Sequence, residues 1–420
     1  MMQVIVSHPT GNRNVRAVIE ALVRENMLAE FNTTLAANPN SVIIKLLPAA
    51  LKNELLRRTF SLPMQKIRSH PWRELARLGL PKIGLGHLVK QEHVFASIDA
   101  VYKKLDQATA KRLRRISFRK KCNAVYTYED GALASFAKAK ELGLKCIYDL
   151  PIAYWETGRR LMMEEAERLP DWACTLGGGI KDSLVKLERK TKELELAEMI
   201  VVPGQFVKDS LPDWSKNKHI VVAPFGSPLA MTDYEKKTEQ QNDKTYNRRL
   251  RVLFVGSMGQ RKGLGDLFEA MRLLNNDNIE LVVMGSLLAP MEFYRKQYPH
   301  FTYEAGRPHE QVLALMRSCD VFCLPSIVEG RALVMQEAMS QGLPLIITPN
   351  TGGADLIDKG KTGFLIPIRS PQAIADKLNW FLENRSQIPE MSQLSKQHAA
   401  NYTWENYGET IKCAIKNFLT

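Results

Sequence analysis

Long hydrophobic runs are missing from this chain: no stretch of its 420 residues stays apolar for the roughly 20 positions that a membrane-spanning helix needs. The start, MMQVIVSHPTGNRN, turns polar too early for a signal peptide. The expected location is therefore cytoplasmic, with peripheral attachment to the inner face of the membrane left open. Cysteine pairs are missing too. Cys122, Cys146, Cys174, Cys319, Cys323 and Cys413 lie far apart with no C-x-x-C, which argues against a zinc site or a disulfide framework. Buried, reduced thiols are the expectation. No Asp-x-Asp and no His/Asp/Glu cluster has metal spacing. The G-x-x-x-x-G-K-[ST] loop and the usual serine and cysteine nucleophile motifs are absent as well. Neither a metal nor a cofactor is expected.

What is present is the composition of a globular protein, 45% apolar and 25% charged, in a chain too long for one comfortable core. Two domains follow. The net charge of +13 belongs to one place. Between Lys45 and Lys121 stand 19 Lys/Arg against five acids, while the 39 basic and 40 acidic residues elsewhere nearly cancel. Such a block suits an anionic membrane surface, a lipid-diphosphate carrier or nucleic acid, or it is a solvated helical region. Within it, LLRRTFSLPMQKIRSHPWRELARLGL mixes Leu, Phe, Met and Trp with Arg as an interfacial helix would, although Pro63 and Pro71 interrupt it. No aromatic RNA-binding signature or helix-turn-helix accompanies the block, so nucleic acid is not an expected partner.

Two segments open alike, each with a β-branched run, a Gly-containing turn and a helical pattern: QVIVSHPTGNRNVRAVIEALV and LRVLFVGSMGQRKGLGDLFEAMRLL. Each reads as the start of a doubly wound sheet, whose ligands bind beyond the carboxyl ends of the strands. The predicted division is a first Rossmann-like domain over 1–230, a linker over 231–250, a second Rossmann-like domain over 251–400 and a C-terminal helix over 401–420. Strands are predicted at 123–128, 145–150 and 199–204, then from RVLFVG through IELVVMG, FTYEAG, VFCLPS and PLIITP to GFLIP, with helices at 263–274, 309–318 and 332–341. In the last helix Tyr402, Trp404, Tyr407, Ile411 and Ile415 are available for one face.

The strongest chemical signal is PSIVEGRALVMQEAM, 325–339. It sets Glu329 in the loop after a buried strand and Glu337 about two turns further on, inside a helix. Unpaired N–H groups at that helix start could carry a diphosphate, with Glu329 facing a sugar and Glu337 accepting from ribose hydroxyls. The second signal is Gly256-Ser257-Met258-Gly259-Gln260-Arg261-Lys262-Gly263, directly after a strand. Glycines let the backbone approach a phosphate there, and Lys262 would neutralise it. Alone, this loop is an ordinary Gly-rich turn as readily as a phosphate site. Beside the two glutamates it points to a nucleoside-diphosphate sugar.

With the Glu-x7-Glu pair and the continuation EAMSQGLPLIITPNTGGADLI, the chain resembles the retaining glycosyltransferases of family 4, closely over about 250–370 and diffusely over 1–230. The resemblance implies a GT-B fold: two Rossmann-like α/β domains face each other across a cleft, and the final helix crosses back to the first. It implies that Lys262, with Arg261, binds the donor diphosphate, that Glu329 holds the sugar and Glu337 the ribose, and that Gly11 closes on the phosphate from the first domain. Ser257 stands where many members carry Arg. Gly330, Arg331 and Ala332 replace the common Gly-Phe-Gly beside the donor sugar, ahead of Leu333. Asp149 ends the strand where a histidine is common.

Asp149 is read equally as an acceptor or sugar contact, hence catalytic, or as a cap of the next helix. Arg159 and Arg160 suit an anionic acceptor or a solvated helix. His8 is expected to be structural. Gly285, Arg307 and His309 lie at later strand ends where a base or ribose could sit, or Gly285 is only a turn and His309 a helix start; Gly352 and Gly353 form a turn near the donor or a purely structural one. The function expected is transfer of a sugar to a glycan or lipid-linked acceptor in polysaccharide or glycolipid synthesis. The alternatives are a non-catalytic sugar-nucleotide scaffold and, less favoured, a nucleic-acid-binding protein.

Overall fold

The computed structural model describes residues 2–39, 52, 55–90, 92–117, 122–177, 179–228 and 248–420. Parts of the basic segment and most of the expected linker lie outside these residues.

The first half builds a seven-stranded parallel sheet in the order β3-β2-β1-β4-β5-β6-β7. Its strands are β1 (Val4–Ser7), β2 (Leu28–Thr33), β3 (Ile67–Ser69), β4 (Ala124–Tyr128), β5 (Lys145–Asp149), β6 (Met199–Val202) and β7 (His219–Val222). Among its helices are α1 (Arg13–Arg24), α2 (Ile98–Ser117), α3 (Leu133–Glu141), α4 (Trp155–Arg168) and α5 (Leu184–Leu196). The second half forms a six-stranded parallel sheet, β10-β9-β8-β11-β12-β13. It comprises β8 (Leu250–Val255), α6 (Leu264–Leu274), β9 (Ile279–Met284), β10 (Phe301–Glu304), α7 (His309–Arg317), β11 (Val321–Leu324), α8 (Leu333–Ser340), β12 (Leu345–Ile347), β13 (Gly363–Leu365), α9 (Pro371–Glu383), α10 (Ile388–Ala399) and α11 (Trp404–Leu419). Each sheet reverses its winding next to its first strand, between β1 and β4 and between β8 and β11, where a crevice opens in doubly wound folds.

The central strands are mostly buried along their length because helices cover both faces. Strand β2 is different: its Glu30 is buried and held by Arg112 of α2 and Arg68 of β3, and Asn32 and Thr33 are also buried. That polarity hides it from pattern reading. The stretch expected to act as an interfacial helix instead contains β3 between short helices, because β2 offers Ile67–Ser69 a parallel partner. Four cysteines are buried as expected, but Cys174 and Cys413 are exposed. No helix among the described residues is long and apolar enough to cross a membrane.

Two elements tie the halves together. Helix α11 packs on α1, with Tyr407, Ile411 and Ile415 in the core of the first sheet. Tyr402 does not share that face: it precedes the helix, and its hydroxyl donates to the Asp355 carbonyl at 3.2 Å. The second element is α4 with the turn Pro170–Thr175. Trp172 leaves the first half of the chain to enter the core of the second sheet, its ring 5.1 Å from Phe293, 5.8 Å from Phe268 and 6.0 Å from Tyr294. Around it, Arg168 pairs with Asp266 at 2.7 Å and Arg369 pairs with Glu165 at 2.5 Å. The Gln260 amide donates to both Glu165 and Asp266, at 2.7 and 2.8 Å.

Candidate active site

Three loops converge at the carboxyl ends of β8 and β11. After β8 the chain turns through Gly256–Gly259 and one tight turn, Gln260–Lys262, before α6. Gly263 closes that turn at φ +73°, and a Cβ there would lie 2.0 Å from the Pro325 carbonyl oxygen. Only glycine lets the loops after β8 and β11 lie against each other. The contact is reinforced where Ile327 N–H donates to the Arg261 carbonyl at 2.9 Å.

This close approach brings the expected donor residues together. Lys262 Nζ lies 2.6 Å from Glu329 Oε1, and an Arg261 guanidinium nitrogen lies 2.9 Å from the same oxygen. Lys262 is 9% exposed, and this burial lowers its pKa from the ordinary lysine value, opposed by Glu329 and reinforced by Arg261. Two cations thus converge on one carboxylate at the start of α8. That helix begins at Leu333 with Ala332 as its N-cap and no side-chain cap, leaving its first amides available to an anion. Glu337, one turn inside α8, faces His309 at the start of α7, with Oε1 3.1 Å from Nε2. Gly285 follows β9, packed against Gly256 of the loop after β8, and its carbonyl accepts from the Tyr303 hydroxyl at 3.2 Å. Ser257 lies in the loop, its carbonyl accepting from Gly259 N–H at 2.8 Å.

Arg331 takes another path. Its side chain, expected to alter the wall beside the sugar, turns into the body of the second half. There it forms a double ion pair with Asp355 at 2.7 and 3.0 Å and donates to Gln336 and to the Gly352 carbonyl. A guanidinium so completely engaged shapes the loop without facing solvent. Arg307 pairs with Glu304, Arg160 with Glu164, and Arg159 donates to the Asp182 carbonyl.

From the first half, the chain after β5 meets the Glu329 loop directly. Ala153 N–H donates to the Glu329 carbonyl at 3.3 Å, and a Cβ on Gly330 would lie 1.7 Å from the Pro151 oxygen. Asp149, two residues before Pro151, is 3% exposed, and its Oδ2 has no hydrogen-bond partner. Burial pushes its carboxyl up to about 7, with Tyr126 opposing and Glu129 adding to the rise. It does not cap α4, which starts at Trp155 without a side-chain cap. Tyr407 of α11 reaches the same buried pocket. His8 follows β1, fully buried, with Nδ1 2.7 Å from the Thr10 carbonyl and its ring 4.3 Å from that of Tyr128. Burial lowers its pKa to about 4, which keeps it neutral. The Gly11 carbonyl accepts from Arg16 Nε at 2.7 Å, within the first domain's own loop.

Residues 235–400 match the family described as glycosyl transferases group 1. The whole chain superimposes on solved structures. Sucrose-phosphate synthase from Thermosynechococcus elongatus matches with a TM-score of 0.62 at 16% identity, covering 100% of this chain and 99% of that one. Anabaena HepE in complex with UDP matches with a TM-score of 0.60 at 13% identity, covering 99% and 100%.

The fold is GT-B, and its second half is a group 1 glycosyltransferase domain.

Among curated relatives, a D-inositol 3-phosphate glycosyltransferase from Corynebacterium urealyticum is 37% identical over 105 residues, 25% of each chain. The capsular polysaccharide biosynthesis glycosyltransferase CapM of Staphylococcus aureus is 26% identical over 184 residues, 41% of this chain and 48% of that one. The chain thus spans between a quarter and about half of the length of these relatives. Within the GT-B frame the Lys262–Glu329–Glu337 group belongs to the group 1 domain, while Asp149, His8 and Gly11 come from the first domain, outside the matched residues. Sequence reading missed Gln260 and Arg168, whose roles depend on the arm that carries Trp172.

Proposed function

We propose that the protein is a retaining, metal-independent glycosyltransferase that moves a sugar from a nucleoside-diphosphate sugar to a hydroxyl of a glycan or lipid-linked acceptor, in cell-surface polysaccharide or glycolipid synthesis. The observation that carries this reading is the convergence of Lys262 and Arg261 on Glu329 beside the uncapped start of α8. Without donor, the carboxylate of Glu329 occupies the cations. With donor, the diphosphate takes their charge and the helix amides, freeing Glu329 for the sugar hydroxyls, while Glu337 accepts from the ribose. As the glycosidic bond breaks, Lys262 and Arg261 stabilise the departing phosphate oxygen, which takes the acceptor proton as the acceptor attacks from the same face. Asp149, poised near neutrality, holds the acceptor hydroxyl. The basic segment 45–121 rests on an anionic membrane surface, keeping the protein peripheral on its cytoplasmic side.

Thermal-shift screening against UDP-, GDP- and ADP-sugars identifies the donor, because a ligand bound only by the folded state raises its stability. Proton NMR of the product's anomeric signal then reads the stereochemistry. An inverted product removes the retaining mechanism, and a bound donor that is neither hydrolysed nor transferred makes the protein a sugar-nucleotide scaffold.

A further inference from the structure

We infer that the first domain carries a second anion site, a basic pocket that receives the phosphate of a lipid headgroup. The pocket lies where β2 and β3 begin and α2 ends, away from the interdomain loops, which follow the other ends of these parallel strands. Its volume is about 1200 Å³, and among the described residues Lys66, Arg68, Lys111, Arg112, Arg114 and Arg115 face it against one acid, Glu30. Glu30 is already engaged by Arg112, at 2.5 and 2.9 Å, and by Arg68 at 3.2 Å. Lys66 Nζ donates to the Leu28 carbonyl at 2.9 Å. Arg114 and Arg115 stand one turn after Lys111 on α2, and none of the three makes an ion pair with any described residue.

Like charges at that helical spacing repel. The negative end of α2 favours cations in its last turn, which explains Arg114 and Arg115. It does not explain Lys66 and Arg68, which converge on the same space from another element. A phosphate-bearing ligand satisfies all of them, and arginine forks match its oxygens. Among the described residues no aromatic side chain lines the pocket, which leaves it without the stacking platform that single-stranded nucleic acid uses. A membrane source fits Met64, which is exposed beside the lining residues Pro63 and Gln65, an apolar side chain suited to the headgroup boundary. The assignment deepens the membrane part of the proposed function and stands apart from the transfer chemistry.

The test is flotation with phosphatidylcholine vesicles, with and without phosphatidylglycerol, across a salt series. The variants are Lys111→Glu/Arg114→Glu/Arg115→Glu, all three exposed positions, and Lys262→Ala. The wild type and Lys262→Ala should float only with the anionic vesicles. The triple variant, with an unchanged melting temperature, should lose binding by about 100-fold or more. Titration of inorganic pyrophosphate into Lys262→Ala, with and without the triple substitution, separates free phosphate from lipid. Pocket-dependent pyrophosphate binding accompanied by vesicle binding supports the assignment. Pyrophosphate or RNA binding without vesicle binding overturns the lipid source, and a triple variant that floats like the wild type overturns the pocket.

Discussion

Replacing either partner of the Lys262–Glu329 pair removes the same ion pair, yet the two substitutions should behave in opposite ways. In Glu329→Gln, Lys262 keeps its charge in a site where it is 9% exposed, loses its counter-ion at 2.6 Å and keeps Arg261 as a like-charged neighbour. Leaving one charge of a buried pair uncompensated costs about 3 kcal/mol, or about 6–12 °C in the melting temperature of a domain of this size. In Lys262→Met the remaining carboxylate keeps Arg261 at 2.9 Å and a desolvated ammonium is gone, so stability should stay within about 1 kcal/mol of the wild type. Ligand binding reverses the order. Lys262→Met loses a charge-assisted contact to the diphosphate worth about 1.5–3 kcal/mol, or roughly 10- to 150-fold in affinity. In Glu329→Gln the diphosphate replaces the missing carboxylate, so UDP, GDP or ADP should restore much of the lost stability. Scanning calorimetry with and without each nucleotide reads both effects. If the two variants melt together without ligand, or if nucleotide fails to rescue Glu329→Gln, the carboxylate is not standing in for a phosphate.

Asp149 should make stability fall as pH rises. Its carboxyl is about 7 in the folded state against 3.8 in the unfolded chain, so below about pH 4 both states hold the proton and nothing is lost. Between about pH 4 and 7 only the unfolded chain ionises, at a cost to the fold of about 4 kcal/mol. Urea unfolding at about pH 5 and about pH 8 should show Asp149→Asn losing less stability than the wild type, and equal losses would mean that the carboxyl is not desolvated. Trp172→Ala should cost about 3–5 kcal/mol and, in hydrogen exchange, loosen α6 and β10 before β4 or β5; early loosening of the first sheet would contradict the packing described. Gly330→Ala would set a methyl carbon 1.7 Å from the Pro151 oxygen and should part the two halves, seen as an enlarged radius in small-angle scattering. An unchanged radius together with unchanged nucleotide affinity would show that this contact does not hold the halves together.

Much of the second half was legible because its strands are continuous apolar runs punctuated by glycine, and because Glu329 and Glu337 carry their spacing on their face. The helices α9 and α10 were not assigned because no strand follows them to mark an alternation. In the first half, β2 escaped notice because Glu30, Asn32 and Thr33 interrupt its apolar pattern, and their burial makes sense only once Arg68 and Arg112 are in place. Arg331 could not be oriented from sequence either, since its direction is set by Asp355 on a later turn. The arm that carries Trp172 looks like any charged helix and turn, because what draws it out of its own half lies in the aromatic cluster of the other.

That arm also bears on how the chain emerges during synthesis. The strands of the first sheet are complete by β7, but Trp172 finds its aromatic neighbours only when Phe268 and Phe293 have been made, and the Glu165–Arg168 pair meets Asp266 and Arg369 only then. Until then the nascent protein presents a bare indole on a sheet that also still lacks α11, a natural handle for a chaperone. Cutting the gene between the two sheets would leave that arm dangling from one fragment and an empty aromatic socket in the other. The two fragments should therefore fold poorly alone and recover when expressed together.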